Sequence, residues 1–563
     1  MTASPMIKHE LAALLEQAVR EAQARGLLPA AQVPEAPVEH PQNPAHGDYA
    51  SSLPMKLARA ARKNPLEIAR TVAELLPPHP AVARVEVAAP GFVNIRLADG
   101  WVAAQVESIR QAGERFGAVE AGAGTKVQVE FVSVNPTGPI HVGHGRGAVL
   151  GSTLARVLEA AGYTVQREYY VNDAGSQMEL YYRCLYARCR EALGHPLELP
   201  ADGYRGQYVK EWAERLLSEQ PELRLRLQAG AALDEMPELR ASALRFTLDR
   251  IREDLALLGI GFDEWFSEQG LYDSGLYDRV MALLRERGHV QEKEGARWFV
   301  STALGEDKDN VLVRSSGLPT YFASDIAYHY DKFVARGFDR VIDIWGADHQ
   351  GHVSRMKAVM TALGLDPARL QIVISQLVTL RRGAAIVRVS KRTGDIITLR
   401  ELVEEVGPDA CRFFFLARSA DAQMDFDLEL AKRESQENPV YYVQYAHARI
   451  AGILEHARRE KGITSWDDGA VSLLTHPAEL ALVRLMLQLP ETVELIARTL
   501  EAQHLPRYAQ ELATAFHLFY RDCRVVDDAA PDLTRARLKL MEAARLTLAR
   551  VLGLMGIAAP EQM

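Results

Sequence analysis

Hydrophobic and polar residues repeat with two different spacings in the first part of the chain, one typical of helices and the other of strands. Apolar residues recur at helical spacing over 6–25 and 53–75. Two shorter stretches, "VARVEVAA" and "GFVNIRLA", alternate in the manner of strands. Gly122 and Gly124 then interrupt the pattern. These segments predict a small α+β domain at residues 1–115.

A strand, a glycine-rich turn and a helix are predicted after this break. "KVQVEFVSV" is strand-like, because Val127, Val129 and Phe131 fall on one face. The turn "NPTGPIHVGHG" follows, and apolar residues then recur at helical spacing until Gly162. This order is typical of the first half of a βαβ unit.

The remaining pattern predicts an α/β fold with an insertion, followed by a helical domain. Residues 175–290 are polar and helix-rich, and we expect them to be the insertion. "DRVIDIWGAD" and "LQIVISQLV" are strand-like and flank the helical "HVSRMKAVMTALG". The economical interpretation is a Rossmann-type nucleotide-binding parallel sheet at 116–400, with halves near 125–175 and 315–400. Helical patterns at 401–563 predict an all-α bundle.

Composition and charge limit the number of domains, the cellular compartment and the partners that we expect for the protein. The chain has 563 residues, too many for one core, which agrees with several domains. No apolar run approaches the roughly 18 residues of a membrane span, and the N-terminal helix is too charged for a signal peptide. The four cysteines include no CxxC pair, so we expect a cytoplasmic protein without structural zinc. A net charge of −9 disfavours indiscriminate nucleic-acid binding but does not exclude an RNA partner.

The glycine-rich turn carries two histidines, His141 and His144. In an α/β sheet, ligands bind at the carboxyl ends of the strands, and the helix N-terminus behind this turn suits a phosphate. Glycines let a ligand approach the backbone, and imidazoles three residues apart can donate to phosphate oxygens from one side. Two alternatives stay open on this pattern: the histidines could bind a metal, or they could cap the helix.

Two motifs carry a resemblance to a known family. Residues 141–144, H-V-G-H, resemble the H-I-G-H signature of class I aminoacyl-tRNA synthetases. Residues 388–392, R-V-S-K-R, stand where that family has its K-M-S-K-S loop, with Ser390 and Lys391 intact. The two motifs occur in the right order, on either side of the predicted insertion.

The sequence beyond these two motifs is similar to bacterial arginyl-tRNA synthetases, and the similarity covers nearly the whole chain. The segments that carry the similarity are "VEFVSVNPTGPIHVGHGRGAVLG", "REYYVNDAGSQM", "PTYFASDIAYH", "DIWGADHQGHVSRMKAVM", "GPDACRFFFLAR" and "YYVQYAHARI". Residues 409–412 resemble the DALR helix of the anticodon-binding domain, and 43–65 resemble the N-terminal domain that binds the tRNA elbow. The resemblance implies ATP-dependent ligation of L-arginine to the 3′ end of its tRNA through an arginyl-adenylate. It implies no membrane partner, and we expect a monomer.

An arginine pocket must bind a planar cation that has five hydrogen-bond donors. Carboxylates bind such a cation through two parallel hydrogen bonds. Tyr321 and Asp325 share a helix face if "YFASDIAYHY" is helical. By resemblance, these two side chains take the guanidinium. The resemblance also implies that Asn135, with Glu130 and His349, binds the backbone end of arginine, which carries the α-amino and carboxylate groups.

Alternatives to these assignments come from the residues themselves. An isolated Glu130 or Asp325 could be a solvated surface acid. In "GADHQGH", Asp348 or Gln350 could be the contact instead of His349. Asp348, His349 and His352 could also be interpreted as a metal triad.

The resemblance also assigns the ATP site. It implies that His141 and His144 hold the phosphates and that Lys391, the third catalytic residue, closes over the β and γ phosphates. The ATP-binding set is His141, Gly143, His144, Gly145, Ser390 and Lys391. The substrate is ATP with Mg²⁺, and no tightly bound protein metal is expected.

Contacts to RNA need aromatic side chains interleaved with basic ones. Tyr442, Tyr445 and Arg449 have that spacing on one helical face and match the family's anticodon-reading helix. The alternative is that the tyrosines pack the bundle. Phe92 and Asn94 in "GFVNIRL" are candidates for binding the tRNA elbow.

Two other functions compete with this one. A different class I synthetase or a small-molecule nucleotidylyltransferase could use the same histidine turn. A free-standing nucleotidylyltransferase would have no need of the long helical part after residue 400. A non-catalytic RNA-binding paralogue is the third reading, and the intact His141, His144 and Lys391 argue against it.

Overall fold

The computed structural model describes residues 6–387 and 397–563. Ser390 and Lys391, which the sequence places in the signature loop, lie outside the described residues. Within the described ranges, no helix has the length and apolar character needed to cross a membrane.

The N-terminal part is an antiparallel three-stranded sheet with helices, in the order β1-β3-β2. Its elements are α1 (Ile7–Ala24), β1 (Tyr49–Ser51), α2 (Leu53–Ala61), α3 (Pro65–Glu74), β2 (Val82–Ala88), β3 (Phe92–Leu97) and α4 (Asp99–Ala112). The helical pattern over 53–75 is divided in two. Arg62 has a left-handed φ of 50°, and the Asn64 side chain caps α3 by accepting from Leu66 N.

The central part is a five-stranded parallel sheet in the order β11-β10-β4-β5-β6. Its first elements are β4 (Lys126–Glu130), α5 (Val142–Ala160), β5 (Thr164–Val171), α6 (Ser176–Ala192), α7 (Gln207–Glu219), α8 (Pro221–Gln228), α9 (Pro237–Ala256) and β6 (Glu264–Ser267). The α/β fold class is confirmed. One strand, β6, comes from inside the stretch that the sequence treats as an insertion, whereas α6 to α9 pack around an apolar cluster of their own.

The chain next forms a small antiparallel sheet, β7-β8-β9, and returns to the central sheet. These elements are α10 (Glu268–Asp273), α11 (Leu276–Glu286), β7 (Val290–Lys293), β8 (Ala296–Phe299), β9 (Asn310–Val313), α12 (Tyr321–Tyr330), β10 (Arg340–Gly346), α13 (Val353–Ala362), β11 (Leu370–Ser375), β12 (Val378–Arg382) and β13 (Ala385–Val387). Helix α12 continues into a π-helical turn at Asp331–Ala335.

The C-terminal part is a helical bundle with one short strand. Its elements are α14 (Leu399–Val406), α15 (Pro408–Leu416), β14 (Met424–Asp427), α16 (Leu428–Ala431), α17 (Pro439–Arg459), α18 (Pro477–Met486), α19 (Gln488–Thr499), α20 (His504–Asp522) and α21 (Pro531–Met555). Strand β14 departs from the all-helical expectation, because it pairs in parallel with β12 of the central part. A capping box formed by Thr398 and Glu401 begins α14.

Candidate active site

Three acidic side chains stand in one row across neighbouring strands of the central sheet. Asp343 on β10 is in register with Glu130 on β4, and Glu130 is in register with Glu168 on β5. Adjacent strands are about 4.8 Å apart, so these carboxylates are close neighbours. Asp343 and Glu168 are completely buried, and Glu130 is 9% exposed. Like charges this close need compensating cations.

The π-helical turn after α12 and the residue that follows it supply those cations. Lys332 Nζ donates to Glu130 Oε2 at 2.6 Å and to Asp343 Oδ1 at 2.8 Å. Arg336 donates to both oxygens of Glu168, at 2.5 and 2.9 Å. Burial alone would raise the pKa of Asp343, but Lys332 and His329 outweigh it and hold that pKa at about 2. The negative charge of the three carboxylates is therefore neutralised by Lys332 and Arg336.

The loop after β4 turns sharply beside Glu130. Val132 and Ser133 both have a positive φ, 70° and 43°, which is strained for a β-branched residue such as valine. In this conformation Ser133 Oγ donates to Glu130 Oε1 at 2.9 Å and accepts from Tyr170 N at 3.1 Å. The strained turn thus fixes Oε1 of Glu130, while Lys332 holds Oε2.

Helix α12 carries Tyr321 and Asp325, as the sequence predicts. The carboxylate of Asp325 has no hydrogen-bond partner in the described chain. Burial raises the pKa of Asp325 to about 6, against a partial offset from His329. Tyr321 is 47% exposed, at the solvent end of the same face. An acid in this state is suited to a cationic ligand that completes its pairing.

Glu268 is an acid of this pocket that the sequence analysis does not single out. It is the first residue of α10, directly after β6, and is 4% exposed. Its Oε2 is buried without a partner among the described residues. Burial and the nearby Asp325 raise its pKa to about 7, although Ser324 and Tyr170 act in the other direction. An acid at a strand end is the signal that could have found it, but the strand was not recognised.

Tyr170 completes the wall of the pocket. Its hydroxyl is buried beside the Glu268 carboxylate. Burial raises its pKa far above the usual value, and the charges of Glu268 and Asp325 raise it further. Asp325, Glu268 and Tyr170 therefore stand close together, and their oxygens supply acceptors of the kind that a guanidinium requires.

The two histidines of the glycine-rich turn lie at the start of α5. His141 is the N-cap residue, and its Nδ1 accepts from Gly143 N at 3.1 Å, so the capping interpretation holds for that atom. The ring of His144 lies 3.7 Å from the ring of His141, and its Nδ1 is buried without a partner in the described chain. Burial, reinforced by His141, lowers the pKa of His144 to about 3. The Nδ1 atom of His144 is thus left without a partner inside the turn.

The chain that follows the signature loop returns to this turn. Thr398 forms an isolated antiparallel bridge with His141. Val142 N donates to Ile397 O at 3.1 Å, and Leu399 N donates to Ile140 O at 2.8 Å. Segments more than 250 residues apart therefore meet at the N-terminus of α5.

Arg146, one turn into α5, is a further residue that the sequence analysis does not name. It is 1% exposed. Its guanidinium donates to four carbonyl oxygens: Gln376 at 3.2 Å, Ala422 at 2.6 Å, Arg418 at 3.3 Å and Ser419 at 2.6 Å. These bonds hold the histidine-bearing end of α5 against the end of the sheet.

The two glycines assigned to ATP have different surroundings. A Cβ on Gly143 would meet the ring of His141 at 2.8 Å, so glycine here permits the cap. A Cβ on Gly145 would meet Leu399 at 2.8 Å and Phe415 at 3.2 Å, so this glycine is needed for packing against α14 and α15. The predicted approach of a nucleotide to Gly145 has no open surface in this arrangement.

Two of the predicted arginine-binding residues lie at the rim. Asn135 is exposed, and its Nδ2 donates to Gln177 Oε1 at 2.6 Å. His349 is 53% exposed and pairs with Asp348 at 3.3 Å. Among the described residues, no group of three or more His, Cys, Asp or Glu side chains is arranged to hold a metal ion, so the triad with His352 has no support.

The predicted RNA contacts fall on two separate surfaces. On α17 and α20, Arg449 donates to Tyr445 OH at 3.2 Å and to Tyr520 OH at 3.0 Å, and Tyr442 lies 4.9 Å from the ring of His517. Tyr520 and His517 extend the predicted aromatic surface across a second helix.

The N-terminal candidates have less accessible surface. Asn94 is 5% exposed and lies 3.5 Å from His46 Nδ1, and Phe92 is half-buried. Asn94 therefore has little area for a direct RNA contact.

Comparison with known proteins accounts for most of the chain. Residues 9–97 match the family described as "Arginyl tRNA synthetase N terminal domain". Residues 105–416 match "tRNA synthetases class I (R), catalytic domain", and 443–563 match "DALR anticodon binding domain".

Full-length relatives agree with these matches. An arginine–tRNA ligase of Dehalococcoides mccartyi is 53% identical over 557 residues, covering 99% of each chain. An arginine–tRNA ligase of Heliobacterium modesticaldum is 47% identical over 563 residues, again covering 99% of each chain. The structure of Thermus thermophilus arginyl-tRNA synthetase aligns with a TM-score of 0.76 over 99% of this chain and 100% of that one, at 24% identity, and supports the fold. The chain belongs to the arginyl-tRNA synthetase family.

Proposed function

We propose that this protein ligates L-arginine to the 3′ end of its tRNA in two steps. The arginine carboxylate attacks the α-phosphorus of ATP, forming arginyl-adenylate and releasing pyrophosphate. The 2′-hydroxyl of the terminal ribose then attacks the arginyl carbonyl carbon, and AMP leaves. The observation that carries the proposal is the pair of neighbouring acids with raised pKa values, Asp325 and Glu268, in a chain whose relatives are arginine–tRNA ligases.

Arginine recognition rests on charge and geometry. Asp325 and Glu268 take the guanidinium, with the Tyr321 hydroxyl at the rim, because a planar fork with five donors matches carboxylates better than any other group. A smaller or neutral amino acid would leave these acids unpaired in a buried site, at a cost of roughly 1–3 kcal/mol or more. Selectivity then needs no separate editing site.

The backbone end of arginine is held on the other side of the pocket. Glu130 binds the α-ammonium group, because Lys332 and Ser133 fix its carboxylate at the end of β4. Asn135 takes a place beside it, with its amide oriented by Gln177. His349, exposed on the turn after β10, is the outermost of the predicted contacts.

ATP binding uses the start of α5. His141, His144 and the free N–H groups of the helix N-terminus meet the phosphates, and Gly143 keeps this turn narrow. Adenylate formation gives side chains little covalent chemistry to do, so positioning and charge stabilisation dominate. Lys391 and Ser390 stand seven and eight residues before Thr398 in the sequence, and Thr398 lies at His141. ATP acts with Mg²⁺ as the substrate, and the protein holds no resident metal.

The tRNA contacts two surfaces. The aromatic and basic surface of Tyr442, Tyr445 and Arg449 meets the anticodon loop, and its supporting feature is the adjacent His517 and Tyr520. The N-terminal part, with Phe92 at its half-buried strand, faces the tRNA elbow. The protein works as a cytoplasmic monomer.

Charging of total tRNA with each of the 20 amino acids tests this function. We expect arginine alone to be transferred to tRNA, in a reaction that requires ATP and releases AMP. Charging with another amino acid, or none with arginine, would refute the proposal. Lys391→Ala should lower the rate by orders of magnitude while arginine binding changes little, whereas lost arginine affinity would show that the role given to Lys391 is wrong.

A further inference from the structure

Lys332 joins the two halves of the proposed arginine pocket. It belongs to the π-helical turn that continues α12, the helix that carries Tyr321 and Asp325. Its ammonium bridges Glu130 on β4 and Asp343 on β10, at 2.6 and 2.8 Å. One side chain thus connects the helix of the guanidinium acid to the strand of the amino-group acid.

Lys332 has no access to a ligand of its own. Its side chain is completely buried, and the ring of Tyr328 covers its ammonium at 4.2 Å. Its two carboxylate bonds are directed at the sheet. Any effect of Lys332 on arginine must therefore pass through Glu130 or through the placement of α12.

Removal of this ammonium would leave two in-register carboxylates facing each other in a buried site. Such a pair relaxes by taking up a proton or by moving apart, and both responses spoil Glu130 as a partner for an ammonium ion. Helix α12 itself would stay attached. His329 Nε2 bonds Asp343 Oδ2 at 2.9 Å, and Arg336 remains on Glu168.

We infer that Lys332 is a positioning residue for arginine recognition: its ammonium holds the Glu130 carboxylate where the α-amino group of arginine must bind, at a fixed separation from Asp325. This inference rests on the proposed function. It makes a specific demand, because loss of Lys332 should weaken the contact with the α-amino group and spare the contact with the guanidinium.

The test compares two ligands on the full chain with tRNA present. L-arginine and 5-guanidinopentanoic acid, which is arginine without its α-amino group, are measured as ligands of the unaltered protein and of Lys332→Met. The unaltered protein should prefer arginine by about 30-fold or more, as expected for a buried charge pair. In Lys332→Met this preference should fall below about fivefold, with affinity for the deamino ligand within about threefold of the original.

A matched control is Lys539→Met. Lys539 is also a buried lysine, 5% exposed, but it pairs with Glu107 between α4 and α21. The control should keep the full preference for arginine. Equal loss of affinity for both ligands in Lys332→Met would mean a merely structural role and would overturn the inference, as would an unchanged preference.

A second variant covers the case in which Lys332→Met does not fold. Lys332→Met combined with Asp343→Asn removes one positive and one negative charge, so the like-charge pair no longer exists. Glu130 still lacks the ammonium that holds it, so the preference for arginine should stay low. Full recovery of the preference would show that Lys332 only balances charge and would overturn the inference. Failure of the unaltered protein to charge tRNA with arginine would instead refute the proposed function.

Discussion

The imidazole rings of His141 and His144 lie 3.7 Å apart at the start of α5, with their planes inclined at 38°. Burial, then the neighbouring His141, lowers the pKa of His144 from 6.5 to about 3. His144 is therefore neutral in the folded protein at physiological pH. A neutral ring can meet a ligand without the cost of discharging an imidazolium first.

This relationship predicts an acid sensitivity of folding. Since the folded protein resists protonating His144, the unfolded chain binds more protons below pH 6.5, and stability falls as the pH drops from 6.5 towards 3. His144→Gln should lose less stability than the unaltered protein between pH 7.5 and pH 5. Thermal midpoints at the two pH values measure the difference. His195→Gln, in the inserted helical region, is the control, and an equal loss in His144→Gln and the unaltered protein would contradict the prediction.

Asp325 should dominate the affinity for arginine. Asp325→Asn keeps the shape of the side chain but removes the charge that pairs with the guanidinium, so the KM for arginine should rise by about 100-fold or more. The KM for ATP should change by less than about threefold, because the ATP site lies at α5. Steady-state charging kinetics separate the two constants. Asp278→Asn on α11 is the matched control, and an arginine KM within threefold of normal in Asp325→Asn would refute the assignment.

Glu268 should make arginine binding depend on pH near neutrality. Its pKa is about 7, so it must lose a proton before it can pair with the guanidinium. Arginine should bind about five- to tenfold more weakly at pH 6 than at pH 8, and binding at pH 7 should release about half a proton from Glu268. Asp325, whose pKa is about 6, adds to the weakening below that pH.

Calorimetry in two buffers of different ionisation enthalpy counts the released protons. In Glu268→Gln the proton release near pH 7 should disappear, and arginine should bind more weakly at every pH. A variant that still releases the same number of protons would show that another group titrates.

Arg449 should contribute to binding of tRNA and not to arginine recognition. Its guanidinium bonds two tyrosine hydroxyls and lies 4.8 Å from the centre of the Tyr520 ring, so it orders the aromatic surface as well as carrying charge. Arg449→Ala should raise the Kd for tRNA about 10-fold, with a shallower salt dependence. Arg459→Ala is the control on the same helix, with a side chain 80% exposed. Equal tRNA affinity in the two variants would argue that the Arg449 surface only packs the bundle.

The sequence identified those parts of the site that lie on long, periodic elements. Helix α12 has ten residues, and its i, i+4 spacing correctly placed Tyr321 and Asp325 on one face. Glu268 was missed because β6 has only four residues and lies among polar helices, where no periodicity reveals a strand. Lys332 was missed because its partners are 202 and 11 residues away and come together only when the sheet forms.

The sequence also could not show which of the predicted site residues are buried by other parts of the chain. Asn94 was a candidate for binding the tRNA elbow, yet it is 5% exposed and lies 3.5 Å from His46 in the adjacent turn at Pro44–His46. Gly145 was assigned to ATP because glycines line such turns, but the space beside it is filled by Leu399 and Phe415. Both differences arise from segments distant in sequence that pack over a correctly predicted element.

The most direct test of the account is a crystal structure of the protein with L-arginine and a non-hydrolysable ATP analogue. The guanidinium should lie between Asp325 and Glu268, the α-amino group should meet Glu130, and the phosphates should meet His141 and His144. A guanidinium bound elsewhere, or phosphates far from the start of α5, would contradict the central claim that both substrates meet at the carboxyl edge of this sheet.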